Sequence, residues 1–458
     1  MSGPARSELR ELIALALPIV GGFVGNQLMG VVDNVMVGRL GAAAIGGAGI
    51  GGGIYNAISI VAMGCVMGID PLVSQAVAAG EHRTARRTYW QGVRVALLAS
   101  VPLVVVILLA APAILGPLRV EPAVAEETRR YLWGRAWNTV PVALFAAARS
   151  YVQAAGYARA VVAWTIVANV LNFVFDAVLI YGDATLERLG LPPIGLRALG
   201  VFGAGLASTL AATLSLAVLW YAISKMPAPD DPLRRRADPA TMRQIVALGL
   251  PVGLQMLVEI SAFALASALS GRIGQVAAAG NQIALILASM TFMVPLGIAT
   301  ATSVRVGQAV GRGDVRGTRR AGFAGFTAST AFMAVSALAF IVWPRSLARL
   351  ITDQPDVLAA AVPLVRVAAL FQLFDGIQVT AAGALRGAGD TRSTFLANLA
   401  GHFVIGLPIA IGLAFGVGLG ATGLWWGLSA GLTAVALILG GRFLSLSARP
   451  IARIRVNM

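Results

Sequence analysis

The chain reads as long apolar runs separated by short polar punctuation. Twelve runs stand out, over roughly residues 12–37, 45–77, 93–115, 131–154, 161–181, 199–224, 244–270, 276–310, 321–342, 362–386, 393–415 and 419–444. Each is long enough, at about 20 residues or more, to carry an α-helix across a bilayer. The second and eighth exceed what one straight span needs and are expected to tilt or to run past the bilayer. The longest hydrophilic stretch, Lys225 to Arg243, contains Pro227, Pro229, Pro232 and Pro239 and divides the runs six and six. The expected organisation is therefore a six-helix lobe over 1–224, a cytoplasmic linker over 225–243, a second six-helix lobe over 244–446 and a cytoplasmic tail over 447–458.

The two halves match each other at one ungapped offset of 233. Leu17-Pro18 falls on Leu250-Pro251, Arg39 on Arg272, and Gln75-Ala76-Val77 on Gln308-Ala309-Val310. Gly80, Arg83, Arg86 and Arg87 fall on Gly313, Arg316, Arg319 and Arg320, and Ala155-Gly156 on Ala388-Gly389. The register slips only after the fifth run, which places an insertion near Gly182 to Leu196. Six spans per half start both halves on the same side of the membrane. Their pseudo-twofold axis then runs along the membrane normal, with a central cleft between lobes that can rock.

Composition agrees with this picture. Of 458 residues, 58% are hydrophobic and 12% charged, and the mean hydropathy is +0.81. Soluble domains carry about 25% charge, so a water-soluble enzyme is excluded. The formal charge of +15 comes from residues lying between the apolar runs, not on one soluble face, which argues against a nucleic-acid partner and for a lipid bilayer. With the N-terminus inside, the cytoplasmic segments hold 21 Lys+Arg and the outer ones nine. That asymmetry favours both termini inside. Cys65 stands alone, and His82 and His402 are the two histidines, so no cysteine metal cluster is expected. The chain has no phosphate-loop motif and no HExxH, which leaves neither direct ATP use nor a zinc hydrolase supported. No cofactor is expected.

An ionised side chain near the bilayer centre costs about 2.5–3.5 kcal/mol or more, so such residues mark pathways. Four acids fall inside runs: Asp33 and Asp176 at matching depth in the outer part of the first half, and Glu259 and Asp375 near the midplane of the second. The repeat places Ala266, Asn26 and Val142 opposite Asp33, Glu259 and Asp375, so the scaffold is duplicated while the acids are not. Asn172 precedes Asp176 by one helical turn and shares its face. An amide oxygen and carboxylates suit a hard cation such as Na⁺; the same carboxylates can instead take up a proton. Asn34 and Asn281 are polar residues inside runs and are candidate cavity residues. His402 is expected to hold an interhelical hydrogen bond, Asp70 to lie at the interface, and Asp390 to close a turn with Arg392.

The segment Arg305-Val306-Gly307-Gln308-Ala309-Val310-Gly311, after Phe292-Met293-Val294-Pro295, resembles the NorM branch of the multidrug and toxic compound extrusion (MATE) transporters. So do Leu385-Arg386-Gly387-Ala388-Gly389-Asp390 and Val32-Asp33-Asn34-Val35. The resemblance implies an all-α membrane protein of two six-helix lobes. It implies export of organic, mostly cationic compounds in exchange for inward Na⁺ or H⁺, by a protein expected to be a monomer in the bacterial inner membrane. It implies a cation site at Glu259 and Asp375 with Gln282 nearby, or one at Asp33, Asn172 and Asp176 with the hydroxyl of Ser208. The chain carries both sets and departs from the NorM pattern at Phe371, where a tyrosine is expected one turn before Asp375. The other readings are a flippase for a lipid-linked saccharide precursor, which would need cavity arginines such as Arg149 and Arg366, and a membrane enzyme.

Overall fold

A computed structural model describes residues 3–117, 120–188, 190, 192–226 and 236–456. In a bilayer each backbone N–H and C=O needs a partner within the protein, and a helix supplies all of them. The described chain is accordingly helical throughout its apolar runs, with twelve helical rods, six in each half of the sequence. Ten are long and apolar enough to cross a membrane by length and composition. The central part of the proline-containing linker, 227–235, lies outside the described residues.

The chain sorts into two compact units. One contains residues 25–69 and 82–253: the end of α1 (Gly3–Gly38), α2 (Ala42–Met67), α4 (His82–Leu115), α5 (Pro122–Arg135), α6 (Thr139–Ala154), α7 (Ala158–Tyr181), α8 (Asp183–Arg188), α9 (Gly200–Lys225) and the start of α10 (Pro239–Ile273). The insertion found by the repeat is the α8 segment and its loop. There the Asp183 carboxylate accepts the backbone N–H groups of Ile194, Gly195 and Leu196.

The other unit contains the chain up to Val24, residues 70–81 and residues 254–455. It holds the first part of α1, α3 (Ile69–Ala78) and the remainder of α10. It also holds α11 (Gln275–Gly311), α12 (Val315–Val342), α13 (Pro344–Arg349), α14 (Pro355–Ala388), α15 (Thr391–Leu399), α16 (Leu407–Ile411) and α17 (Gly420–Ser447). Leu12, Ala16 and Ile19 of α1 pack with Ile298, Ala301 and Ala324 of α11 and α12. In the same unit Arg305 forks onto Glu8 at 2.9 and 2.8 Å and reaches Glu11 at 2.7 Å. Gln75 donates to the Gly387 carbonyl at 3.1 Å, Asp70 faces Arg386 at 4.0 Å, and Arg453 pairs with Glu81. Asp70, expected at the interface, thus has an arginine partner.

Helix breaks follow proline. The expected second run divides at Gly68 into α2 and α3, because the ring of Pro71 clashes with the carbonyl of Met67, four residues back. The fourth run divides likewise: Pro141 stands four residues after Trp137, within a 3₁₀ turn over Ala136–Asn138. The eleventh run is interrupted by wide π turns at Ala400–Gly406 and Gly412–Gly416, flanking Pro408 in α16. Several helices outrun their apolar runs because a polar cap starts them outside the hydrocarbon. Asp314 accepts from Gly317 N to begin α12, and Asp390 accepts from Ser393 N to begin α15. The other oxygen of Asp390 takes Arg442 of α17 at 2.7 Å, and not Arg392 as the sequence suggests.

Two helix crossings bring backbone against backbone. Gly134 of α5 and Gly205 of α9 face each other so closely that a Cβ on Gly205 would stand 2.6 Å from the Tyr131 carbonyl oxygen. Gly383 and Gly387 of α14 lie against the backbone of Ala299 and Ser303 of α11 in the same manner.

Candidate functional site

In the unit built mainly from the first half, α7 presents Asn172 and Asp176 one turn apart, both fully buried. Gly25 of α1 leaves room for Asn169 of α7, so the two helices approach closely, and two turns further along α1 carries Asp33 into the same place. The Asn172 amide Nδ2 donates to Asp33 Oδ1 at 3.0 Å and to Asp176 Oδ2 at 2.7 Å. Asn172 Oδ1 and Asp176 Oδ1 are shielded from solvent and have no hydrogen-bond partner among the described residues. Buried oxygens without a donor are costly, and the cluster offers two of them.

A positive charge stands beside this cluster. Arg135, the last residue of α5, lies over the Tyr55 ring at 5.0 Å and interacts electrostatically with Asp33 and Asp176. Its Nε and Nη1 are buried and donate to nothing among the described residues. The crossing of Gly134 with α9 fixes its position. Arg135 falls inside the apolar run over 131–154, with no partner evident in its own segment. A signal for it exists: an arginine inside a bilayer-spanning run requires a nearby anion, and no acid on its own helix lies on the membrane-inward side.

In the other unit, Glu259 of α10 and Asp375 of α14 are electrostatic neighbours. Neither has a hydrogen bond or an ion pair among the described residues. Asp375 is 5% exposed. Aromatic rings stand one turn from each acid. Phe263, one turn after Glu259, meets the edge of Phe371, one turn before Asp375, at 5.8 Å and 72°. Phe371 in turn meets Trp425 of α17 at 5.5 Å and 70°.

The remaining sequence-selected residues fall elsewhere. Asn281 is buried and bonded at both atoms of its amide: Trp425 Nε1 donates to its Oδ1 at 3.0 Å, and its Nδ2 donates to Ser267 Oγ at 3.2 Å. It ties α10, α11 and α17 together behind Phe371. Ser208 is buried on α9 and donates its hydroxyl back to the Ala204 carbonyl at 3.3 Å. Asn34 and Gln282 are exposed and make no hydrogen bond among the described residues. His402 lacks the expected interhelical partner. It is 2% exposed, both ring nitrogens are unpaired, and its nearest ring is Phe263 at 6.4 Å. The π turn in which it sits displaces it from the positions an α-helical register assigns. Among the described residues no cluster of three or more His, Cys, Asp or Glu could hold a metal ion.

The family model MatE matches this chain twice, over residues 18–178 and 251–411. The second matched segment is shifted from the first by 233 residues, the offset of the internal repeat. The chain belongs to the MatE family. It is 34% identical over 457 residues to the probable multidrug resistance protein NorM of Mesorhizobium japonicum, covering 96% of this chain and 94% of that one. It is 37% identical over 454 residues to the probable multidrug resistance protein NorM of Bradyrhizobium diazoefficiens, with the same coverage. Among solved structures, the fold is similar to the Vibrio cholerae MATE transporter VcmN, with a TM-score of 0.88 at 17% identity over 98% of this chain and 99% of that one. It is also similar to the eukaryotic MATE transporter AtDTX14, with a TM-score of 0.81 at 20% identity over 96% of each chain. The chain is a membrane-spanning member of this family with the twelve-helix, six-plus-six arrangement expected from its sequence.

Proposed function

We propose that this chain is a secondary active multidrug efflux antiporter of the bacterial cytoplasmic membrane, with both termini inside. It exports organic, mostly cationic compounds in exchange for inward Na⁺ or H⁺ by alternating access of two lobes. The observation that carries the reading is the pair Glu259 and Asp375: two carboxylates inside bilayer-spanning helices, neighbours of each other, with no hydrogen bond and no cation among the described residues. Such a pair is tolerated only if a positive species occupies it during part of a cycle.

Charge counting separates the two acid clusters. Asp33, Asp176 and Arg135 together carry one net negative charge when both acids are ionised. A single Na⁺ or H⁺ neutralises them, with Asn172 Oδ1 and Asp176 Oδ1 as the free acceptors. Glu259 and Asp375 carry two negative charges with no built-in cation. One small cation leaves one charge, which an organic cation can complement. The first cluster therefore suits the coupling ion alone, and the second suits competition between coupling ion and substrate. Moving one charge through 100 mV is worth about 2.3 kcal/mol, so one inward monovalent cation balances one expelled organic cation electrically. The flippase reading needs arginines around a central anion. Arg366 is exposed and lines a cavity formed by residues 342–346 and 355–366, whereas Glu259 and Asp375 stand inside spans with no hydrogen bond or ion pair among the described residues.

Dye efflux from proteoliposomes, with Na⁺ and pH gradients imposed one at a time, tests the reading. Efflux driven by at least one gradient is expected, with Asp33→Asn and Glu259→Gln each abolishing it while insertion stays intact. Gradient-driven efflux retained in both variants would overturn it.

A further inference from the structure

The turn joining α12 to α14 contains a second feature, whose arginine on α14, Arg366, precedes Asp375 by nine residues. A cavity of about 450 Å³ opens there, lined by Trp343, Arg345, Ser346, Leu358, Val362 and Arg366. No acid lines it. Both arginines are exposed, and neither has an ion pair or a hydrogen bond among the described residues. Arg366 belongs to α14, eleven residues past its first residue, which is about 16 Å of helix rise. Trp343 is 59% exposed and follows Ile341 and Val342, themselves 55% and 52% exposed. An exposed tryptophan after exposed aliphatics at the end of a span marks the level of the lipid headgroups. Arg345 beside that level and Arg366 in the same cavity have no protein partner among the described residues, and an anion seated between them would complement both. The cavity wall is polar at Ser346 and apolar at Leu358 and Val362, so the anion it fits has an apolar body attached.

We propose that this cavity binds the phosphate of an anionic phospholipid. Arg345 and Arg366 fork onto the phosphate oxygens in the planar, bidentate geometry that guanidinium groups favour. The Ser346 hydroxyl donates to a third oxygen, and the first acyl segment lies along Leu358 and Val362. The arginine of α14 is thereby neutralised from the bilayer and not from within the protein. This assigns to Arg366 a role that the acid clusters do not use, and it holds whichever ion drives transport.

The test is native mass spectrometry and thermal unfolding of the full chain in detergent. The micelles are doped in turn with phosphatidylglycerol, with phosphatidylethanolamine, or with inorganic phosphate in the buffer. One retained phosphatidylglycerol and a raised unfolding midpoint are expected, with a smaller effect of phosphatidylethanolamine and none of inorganic phosphate. In Arg345→Gln/Arg366→Gln, retention should fall roughly tenfold or more, the scale of losing hydrogen bonds to a charged group. Arg349→Gln, an exposed arginine of the same segment outside the cavity lining, should keep it. The double Arg→Lys variant keeps the charge without the fork, and should fall in between. Equal retention in the double Gln variant, or equal loss in Arg349→Gln, overturns the site. Protection by inorganic phosphate as strong as by phosphatidylglycerol overturns the lipid assignment.

Discussion

Asn172 donates one amide proton to each of two carboxylates, and this local fact sets what substitutions there should do. Asn172→Leu keeps the volume but strips both acids of their shared donor. A stability loss of about 2 kcal/mol or more is expected, within the range for hydrogen bonds to charged groups, read as a lower unfolding midpoint in detergent, together with loss of efflux. Arg135→Gln works in the opposite sense. It removes the positive neighbour of Asp33 and Asp176, so an incoming cation meets two uncompensated charges. Half-saturation by the coupling cation should move to roughly tenfold lower concentration while turnover falls because release slows. An unchanged cation dependence of dye efflux would contradict that role for Arg135. These two residues also mark what the sequence discloses at this scale. The acids stand out because charge inside an apolar run is costly, and Asn172 stands out because it is one turn from Asp176. Arg135 does not, since its partners lie on α1 and α7, 102 and 41 positions away. Ser208 and Gln282 rest on resemblance alone, and here one bonds its own helix while the other is exposed.

Helix crossings decide where those residues arrive. Gly134 meets the backbone of Phe202 and Leu206 on α9, and backbone cannot swing aside as a side chain can. Gly134→Ala should therefore push α5 off α9 and shift the adjacent Arg135. The expected outcome is a destabilisation of about 1–3 kcal/mol, as for overpacked cores, with efflux reduced beyond what the loss of folded protein explains. At the other end of α1, Arg305 fastens Glu8 and Glu11. Arg305→Gln should leave the fold intact but raise hydrogen–deuterium exchange over residues 7–16 of α1; unchanged exchange would mean that the packing of Leu12 and Ala16 alone holds the segment. The lengths and order of the helices are readable from the apolar runs. Their breaks at Pro71 and Pro141 follow from proline chemistry once those residues are weighed, whereas the two π turns are not readable. The first lies where Gly401 and Gly406 meet Gly431 of α17, the second where Leu413 and Ala414 meet Gly423 of α17, a packing that no local pattern encodes.

For the molecule as a whole, the duplication is the most legible property. The offset of 233 emerges from a handful of paired residues and returns in the two family matches. Orientation rests on the arginine asymmetry and has a direct check. In a Cys65→Ala background, Gln354→Cys should react with an impermeant thiol reagent applied outside intact cells, and Ser224→Cys only after permeabilisation. The reverse pattern would invert the proposed topology and with it the direction of export. The way the compact units ignore the boundary between halves is not readable from the sequence. Runs of apolar residues say where helices are, and nothing about which neighbour each end selects.

That sorting bears on how the protein can be made. Leu12, Ala16 and Ile19, from the first half of the gene, are buried against Ile298, Ala301 and Ala324, encoded in the second. A chain cut within the linker and expressed as two polypeptides should accumulate when both are synthesised together and be degraded when either is synthesised alone. Accumulation of either half by itself would instead mean that the two products of the duplication are still separable modules.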